Sequence, residues 1–127
     1  MEFAVLIILL ALAQYTFFSI RVGAARPKYG IDAPKTTGNE TWERLYRVQH
    51  NTLEQLVLFV PSMLAFSFYL SATWALVPGV LFLVGRQLYS HEYINNPSSR
   101  VPGMAITLLA NGVLLVGAVI GILLKLF

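Results

Sequence analysis

Arg47, Asn51 and Glu54 stand at i, i+4 and i+7, so a helix carries all three on one face. Arg86, Tyr89 and Tyr93, at i, i+3 and i+7, share a face of another helix. Gln49 lies off the first line but within the same two turns. Arg26 closes the first apolar run of the chain, and Arg100 sits just before the last one. Four arginines, one carboxylate, two amide side chains and two phenols therefore gather near the mouths of apolar segments. Arginine grips a carboxylate in a bidentate fork. Tyrosine adds a ring face and a hydroxyl, and a carboxylate among them holds an amine. The ligand that matches is small, carries more than one carboxylate and at least one ammonium, and works beside lipid.

The same residues have plainer readings. Arg21, Arg26 and Arg44 serve equally as basic anchors that snorkel to an interface. Tyr89 and Tyr93 suit an aromatic belt, and Glu54 suits a pair with Arg47 or with Arg86. Arg86 resists dismissal, because it ends an uncharged run and an ionisable group at membrane depth is costly. His50 lies within the polar patch and His91 near a helix end. Neither has ligand partners at metal spacing, so no metal site is expected.

The elements that position these residues follow from composition. The 127 residues suffice for one domain; 57% are hydrophobic and only 12% charged. A soluble domain carries about 25% charged residues, so this chain lacks the polar cover it would need in water. The net charge of +3 is too small to argue for nucleic acid, and the lack of cysteine excludes disulfides and thiolate chemistry from the chain itself. Ala11-Leu12-Ala13 resembles a signal cleavage site. Glu2 in place of a basic n-region, and an apolar run that continues to Ile20, point to an uncleaved helix instead.

About 20 apolar residues cross about 30 Å of hydrocarbon. Four runs meet or approach that, and the pattern predicts a single all-α domain over 1–127, an integral membrane four-helix bundle. Its helices are expected at about 3–26, 41–72, 75–94 and 101–125. Pro27 and Gly30 should stop the first near Arg26. Asn39 or Thr41 should cap the second, which Pro61 should kink. Pro78 and Pro102 are tolerable in the first turns of the third and fourth. Gly112, Gly117 and Gly121 suit close helix approach in lipid. Basic residues concentrate around the first and third connections, which should therefore be cytoplasmic. Asn39-Glu40-Thr41 fits a glycosylation acceptor but falls on that side.

Two segments resemble a known family, the membrane-associated proteins in eicosanoid and glutathione metabolism. One is Glu43-Arg44-Leu45-Tyr46-Arg47-Val48-Gln49-His50-Asn51-Thr52-Leu53-Glu54, similar to the family's Glu-Arg-x-x-Arg-x-x-x-Asn-x-x-Glu pattern. The other is Gly85-Arg86-Gln87-Leu88-Tyr89-Ser90-His91-Glu92-Tyr93 followed by Arg100, similar to the family's Arg-x-x-Tyr-x-x-x-Tyr pattern and its following arginine. The resemblance extends over the whole chain in length and helix count. It implies a homotrimer of four-helix subunits with glutathione, a ligand of the chemistry described above, bound between neighbours. By position, Arg26, Arg47, Gln49, Asn51, Glu54, Arg86, Tyr89 and Tyr93 would hold glutathione, and Arg100 would be catalytic, facing the thiol.

The implied activity is a microsomal-type glutathione transferase acting on hydrophobic electrophiles or lipid substrates, with peroxidase activity on lipid hydroperoxides as a related outcome. Glutathione is then a co-substrate, with no metal and no nucleic acid. The alternative on the same scaffold is a non-catalytic lipid-binding protein like the 5-lipoxygenase-activating protein. Where leukotriene C4 synthase has a tyrosine after the glutamate, this chain has Gln55. Where that enzyme has a second arginine after Arg26, it has Pro27. Both departures weigh against leukotriene synthesis. Short loops and a compact C-terminus suggest a bacterial inner-membrane protein with the glutathione site at the cytoplasmic side. A small transporter would need a polar path, and only Gln14 and Asn111 lie at depth in the first and fourth runs.

Overall fold

The computed structural model describes residues 1–127. Four α-helices account for most of the chain: α1 (Glu2–Tyr29), α2 (Glu40–Tyr69), α3 (Leu76–Asn95) and α4 (Val101–Leu126), with a single 3-10 turn, Pro97–Ser99, between the last two. Helices α2 and α3 form the centre, and α1 and α4 pack on opposite sides of that pair. Helices α1, α2 and α4 are each long and apolar enough to cross a membrane. At 20 residues, α3 is just long enough for about 30 Å, but Arg86, Gln87, His91 and Glu92 make it less apolar.

The outer surface is apolar. Phe3, Val57, Trp74 and Leu124 are each at least 70% exposed, and leucine and valine fill the space between them. Such a surface belongs in lipid rather than water. Inside, Phe59 and Phe82 stack with ring centroids 3.9 Å apart at the centre of a cluster that includes Ala11, Met63 and Leu114. In lipid, burial of apolar surface drives helix association little, so close packing must supply the attraction. Gly117 shows how: a Cβ there would lie 2.3 Å from the Phe66 ring.

Local signals set the helix ends. The Asn39 side chain accepts the Trp42 N–H at 3.0 Å and caps α2, with Glu40 and Glu43 in the first turn against the positive end of the dipole. Helix α1 runs past Arg26 to Tyr29. Pro27 lies in the final turn, where its missing N–H forfeits a single bond. Gly30, at φ 68°, then makes the left-handed cap, and Ile31 N–H returns to Arg26 O at 3.0 Å. Ile31 is buried with Val22, Trp42 and Leu45, which fastens the first connection to the bundle. Helix α2 ends at Tyr69 and is continuous through Pro61. Pro78 and Pro102 both fall in first turns.

Candidate functional site

At one end of the bundle meet the C-terminal halves of α1 and α3 and the N-terminal halves of α2 and α4. A polar pocket of about 320 Å³ opens there, lined by Arg47, His50, Asn51, Glu54, Tyr89, Tyr93 and Arg100. One side of it is a single face of α2 and the other a single face of α3, with Arg100 contributed from the start of α4. Tyr89 and Tyr93 stack at 5.5 Å between centroids and form a continuous aromatic wall. Arg47, Glu54 and Arg100 are exposed, and no ion pair within the chain involves them. Glu54 thus pairs with neither Arg47 nor Arg86. Two guanidinium groups and one carboxylate are left free for a ligand with charges of both signs. The Arg100 side chain leans on its own turn, donating to Pro97 O at 2.8 Å.

Arg86 lies beneath this pocket rather than on its surface. It is fully buried and bonded on every side: Nε to Thr107 Oγ1 at 3.1 Å, Nη1 to Asn51 Oδ1 at 2.7 Å and to Thr52 Oγ1 at 3.3 Å, and Nη2 to the Met104 sulfur at 3.4 Å. Its guanidinium carbon lies 4.4 Å from the Tyr89 ring centroid. A buried charge is tolerable only when so bonded. The result ties α2, α3 and α4 together under the pocket and fixes the orientation of Asn51 and Tyr89.

Two further residues singled out from the sequence face elsewhere in the single chain. Arg26 donates to Lys35 O at 2.8 Å and covers the Trp42 ring at 4.7 Å. Gln49 turns to α1, donating to Tyr15 Oη and Ser19 Oγ at 3.3 Å each. Gln55 points away from the pocket, its Oε1 accepting from Asn111 Nδ2 at 3.0 Å. His50, by contrast, is part of the pocket wall. It stacks on Tyr46 at 5.7 Å and also borders a smaller polar hollow of about 250 Å³ with Thr36, Thr37, Glu43, Tyr46 and Arg47. Its spacing from Arg47 and Glu54, three and four residues, was the available signal for that placement.

An apolar groove of about 350 Å³ runs between α2 and α4 toward the other end of the molecule, lined by Pro61, Ala65, Tyr69, Leu115, Ala118 and Ile122 among others. It carries no chemistry of its own but offers space to a hydrocarbon chain.

Comparison with known proteins finds relatives over most of the chain. The chain is 45% identical over 118 residues to an uncharacterized protein of Synechocystis sp., covering 93% of this chain and 86% of that one. It is 30% identical over 100 residues to human microsomal glutathione S-transferase 2, covering 79% of this chain and 68% of the relative. It is 28% identical over 115 residues to bovine leukotriene C4 synthase, covering 91% and 77%. The profile of the MAPEG family matches residues 4–120, nearly the whole chain. An all-helical chain with membrane-spanning helices, an apolar exterior and such relatives is an integral membrane protein, and it belongs to the MAPEG family.

Proposed function

We propose that this protein is a glutathione transferase that joins the glutathione sulfur to hydrophobic electrophiles delivered from the membrane. The observation that carries this reading is the pocket at the α2/α3/α4 mouth, where Arg47, Glu54 and Arg100 have no ion-pair partner in the chain. Glutathione has two carboxylates, one ammonium and a thiol. Arg47 holds a carboxylate, Glu54 the ammonium, and Asn51, Tyr89 and Tyr93 the peptide between them. Arg100 faces the thiol. A thiol of pKa about 8.5 is mostly protonated at neutral pH, and a guanidinium beside it favours the anion. The proton leaves to solvent, the thiolate attacks the electrophilic carbon, a C–S bond forms and the leaving group departs. Attack on a lipid hydroperoxide begins with the same thiolate.

In this reading all four helices span the membrane, and the protein works as a homotrimer with its glutathione site at the cytoplasmic side. Arg26 and Gln49, which lie off the pocket in one chain, then reach glutathione from a neighbouring subunit. The apolar groove between α2 and α4 supports a second reading, a lipid-binding protein without turnover.

The deciding experiment is conjugation of glutathione to a chloronitrobenzene by purified protein in detergent, beside Arg100→Ala. The transferase reading expects chloride release by the parent and a loss of at least about tenfold, equivalent to ~1.4 kcal/mol, in the variant with glutathione still bound. A folded parent that binds lipid but neither binds nor turns over glutathione leaves the second reading.

A further inference from the structure

Helix α4 begins without a cap of its own. Its N-cap position is Arg100, whose side chain makes no capping bond, and Pro102 has no N–H to offer. The first turn of a helix nonetheless carries orphan amides and the positive end of the dipole. Glu92 of α3 meets this need. Its Oε1 accepts the Gly103 N–H at 2.9 Å, across the α3/α4 contact. Gly103 permits that approach because it has no side chain: a Cβ there would lie 2.4 Å from Tyr89 N and 2.9 Å from Glu92 Oε1.

Glu92 also holds the chain on the other side of Arg100. Its carbonyl oxygen accepts Asn96 N–H at 2.8 Å and Ser99 Oγ at 3.4 Å, which anchors the 3-10 turn Pro97–Ser99. That turn in turn receives Arg100 through Pro97 O, which accepts from both Arg100 N and Arg100 Nη1. One residue therefore fastens both flanks of Arg100, and it stands on α3 in the same turn as Tyr89 and Tyr93 of the pocket wall.

We propose that Glu92 is a positioning residue of the thiolate site: its carboxylate oxygen on the Gly103 amide and its carbonyl on the Asn96 turn set where Arg100 stands relative to Tyr89 and Tyr93. This rests on the transferase reading for its chemical consequence but not for its structural one. Glu92 touches neither glutathione nor the reacting atoms. Its effect is on the alignment of the Arg100 guanidinium with sulfur, and therefore on how far the thiol pKa falls. The carboxamide of Glu92→Gln keeps an oxygen acceptor for Gly103, whereas Glu92→Ala removes it.

The test uses full-length protein in detergent with Glu92→Ala and Glu92→Gln. Amide hydrogen exchange over residues 101–104 reads the cap directly. Glutathione thiolate absorbance against pH reads the alignment, and equilibrium binding of glutathione reads occupancy. Glu92→Ala is expected to speed exchange of that segment at least about tenfold, as loss of its protecting bond requires. It should also raise the pH of half-ionisation of bound thiol by about one unit, with glutathione affinity changed less than about threefold. Glu92→Gln should recover most of both effects. Faster exchange with an unmoved thiol titration makes Glu92 a cap only and overturns the proposal. An equal thiol shift in both variants traces the effect to charge and also overturns it. A parent that binds glutathione without forming thiolate defeats the transferase reading instead. The exchange of residues 101–104 then decides alone: unchanged in Glu92→Ala, it removes Glu92 from the positioning of Arg100.

Discussion

Arg86 Nη1 donates to Asn51 Oδ1 across 2.7 Å, and this bond joins the floor of the pocket to its α2 wall. Both residues occupy regular positions in long helices, so the contact fixes the rotation of α2 and α3 about their axes. The same Nη1 of Arg86 also reaches Thr52 Oγ1 on α2, and Nε reaches Thr107 Oγ1 on α4. Thr107 Oγ1 in turn donates to Gly103 O at 2.9 Å, one turn back along α4.

Replacing Arg86 is therefore expected to damage the fold before the chemistry. Arg86→Ala leaves Asn51 Oδ1 and Thr52 Oγ1 without their side-chain partner and Thr107 Oγ1 with only Gly103 O, and hydrogen bonds to a charged group contribute about 1.5–3 kcal/mol each. Arg86→Lys keeps charge but lacks the planar fork. Thermal unfolding in detergent should show a large loss for alanine and a smaller one for lysine, with glutathione affinity falling in parallel. An alanine variant as stable as the parent would show that the buried guanidinium is not what joins the three helices.

Gly103 and Gly112 lie on the same helix in opposite environments. A Cβ at Gly103 meets the Tyr89 backbone at 2.4 Å, whereas none at Gly112 meets anything within 4 Å. Backbone cannot swing aside as a side chain does, so Gly103→Ala must push α4 from α3, at a cost of about 1–3 kcal/mol or more. Gly112→Ala should be neutral or slightly stabilising. Unfolding temperatures of the two variants side by side check this, and equal values would contradict the close α3/α4 approach.

Arg26 and Gln49 lie off the pocket in one chain, with Arg26 over Trp42 and Gln49 against Tyr15 and Ser19. If glutathione lies between subunits, Arg26 of one and Arg100 of the next serve one site. Subunits with Arg26→Ala and subunits with Arg100→Ala, each poorly active alone, should regain conjugation when co-expressed and purified as mixed oligomers. No recovery in oligomers shown by native mass measurement to be mixed would place both arginines in the same subunit's site. A strictly monomeric protein would remove the inter-subunit site altogether.

Much of this was legible in the sequence, for a definite reason. The length of apolar runs set by hydrocarbon thickness marks the helices, and the 3.6-residue period fixes which side chains share a face, whatever those faces meet. Arg47, Asn51 and Glu54 come together on α2, and Tyr89 and Tyr93 on α3, by that period alone. Asn39 as a cap and Pro78 and Pro102 in first turns follow from local backbone chemistry. Helix ends held by tertiary contact were less legible: α1 continues through Pro27 because Gly30 and buried Ile31 close it.

What the tertiary structure alone decided is which way each face turns. Arg86 and Arg100 are the same residue type near the same end of the bundle. One is enclosed by three helices and bonded on every nitrogen, while the other is exposed at the pocket rim, with no ion pair and only the Pro97 carbonyl as partner. No spacing distinguishes them, because burial depends on how α2, α3 and α4 rotate against one another. Glu92 is the same case. It reads as an ordinary charged residue at a helix end until the close passage of Gly103 brings an uncapped amide within 2.9 Å of its carboxylate. Helical periodicity is a property of one chain segment, whereas the partner of a polar group is a property of the packing between segments, and the candidate chemistry depends on both.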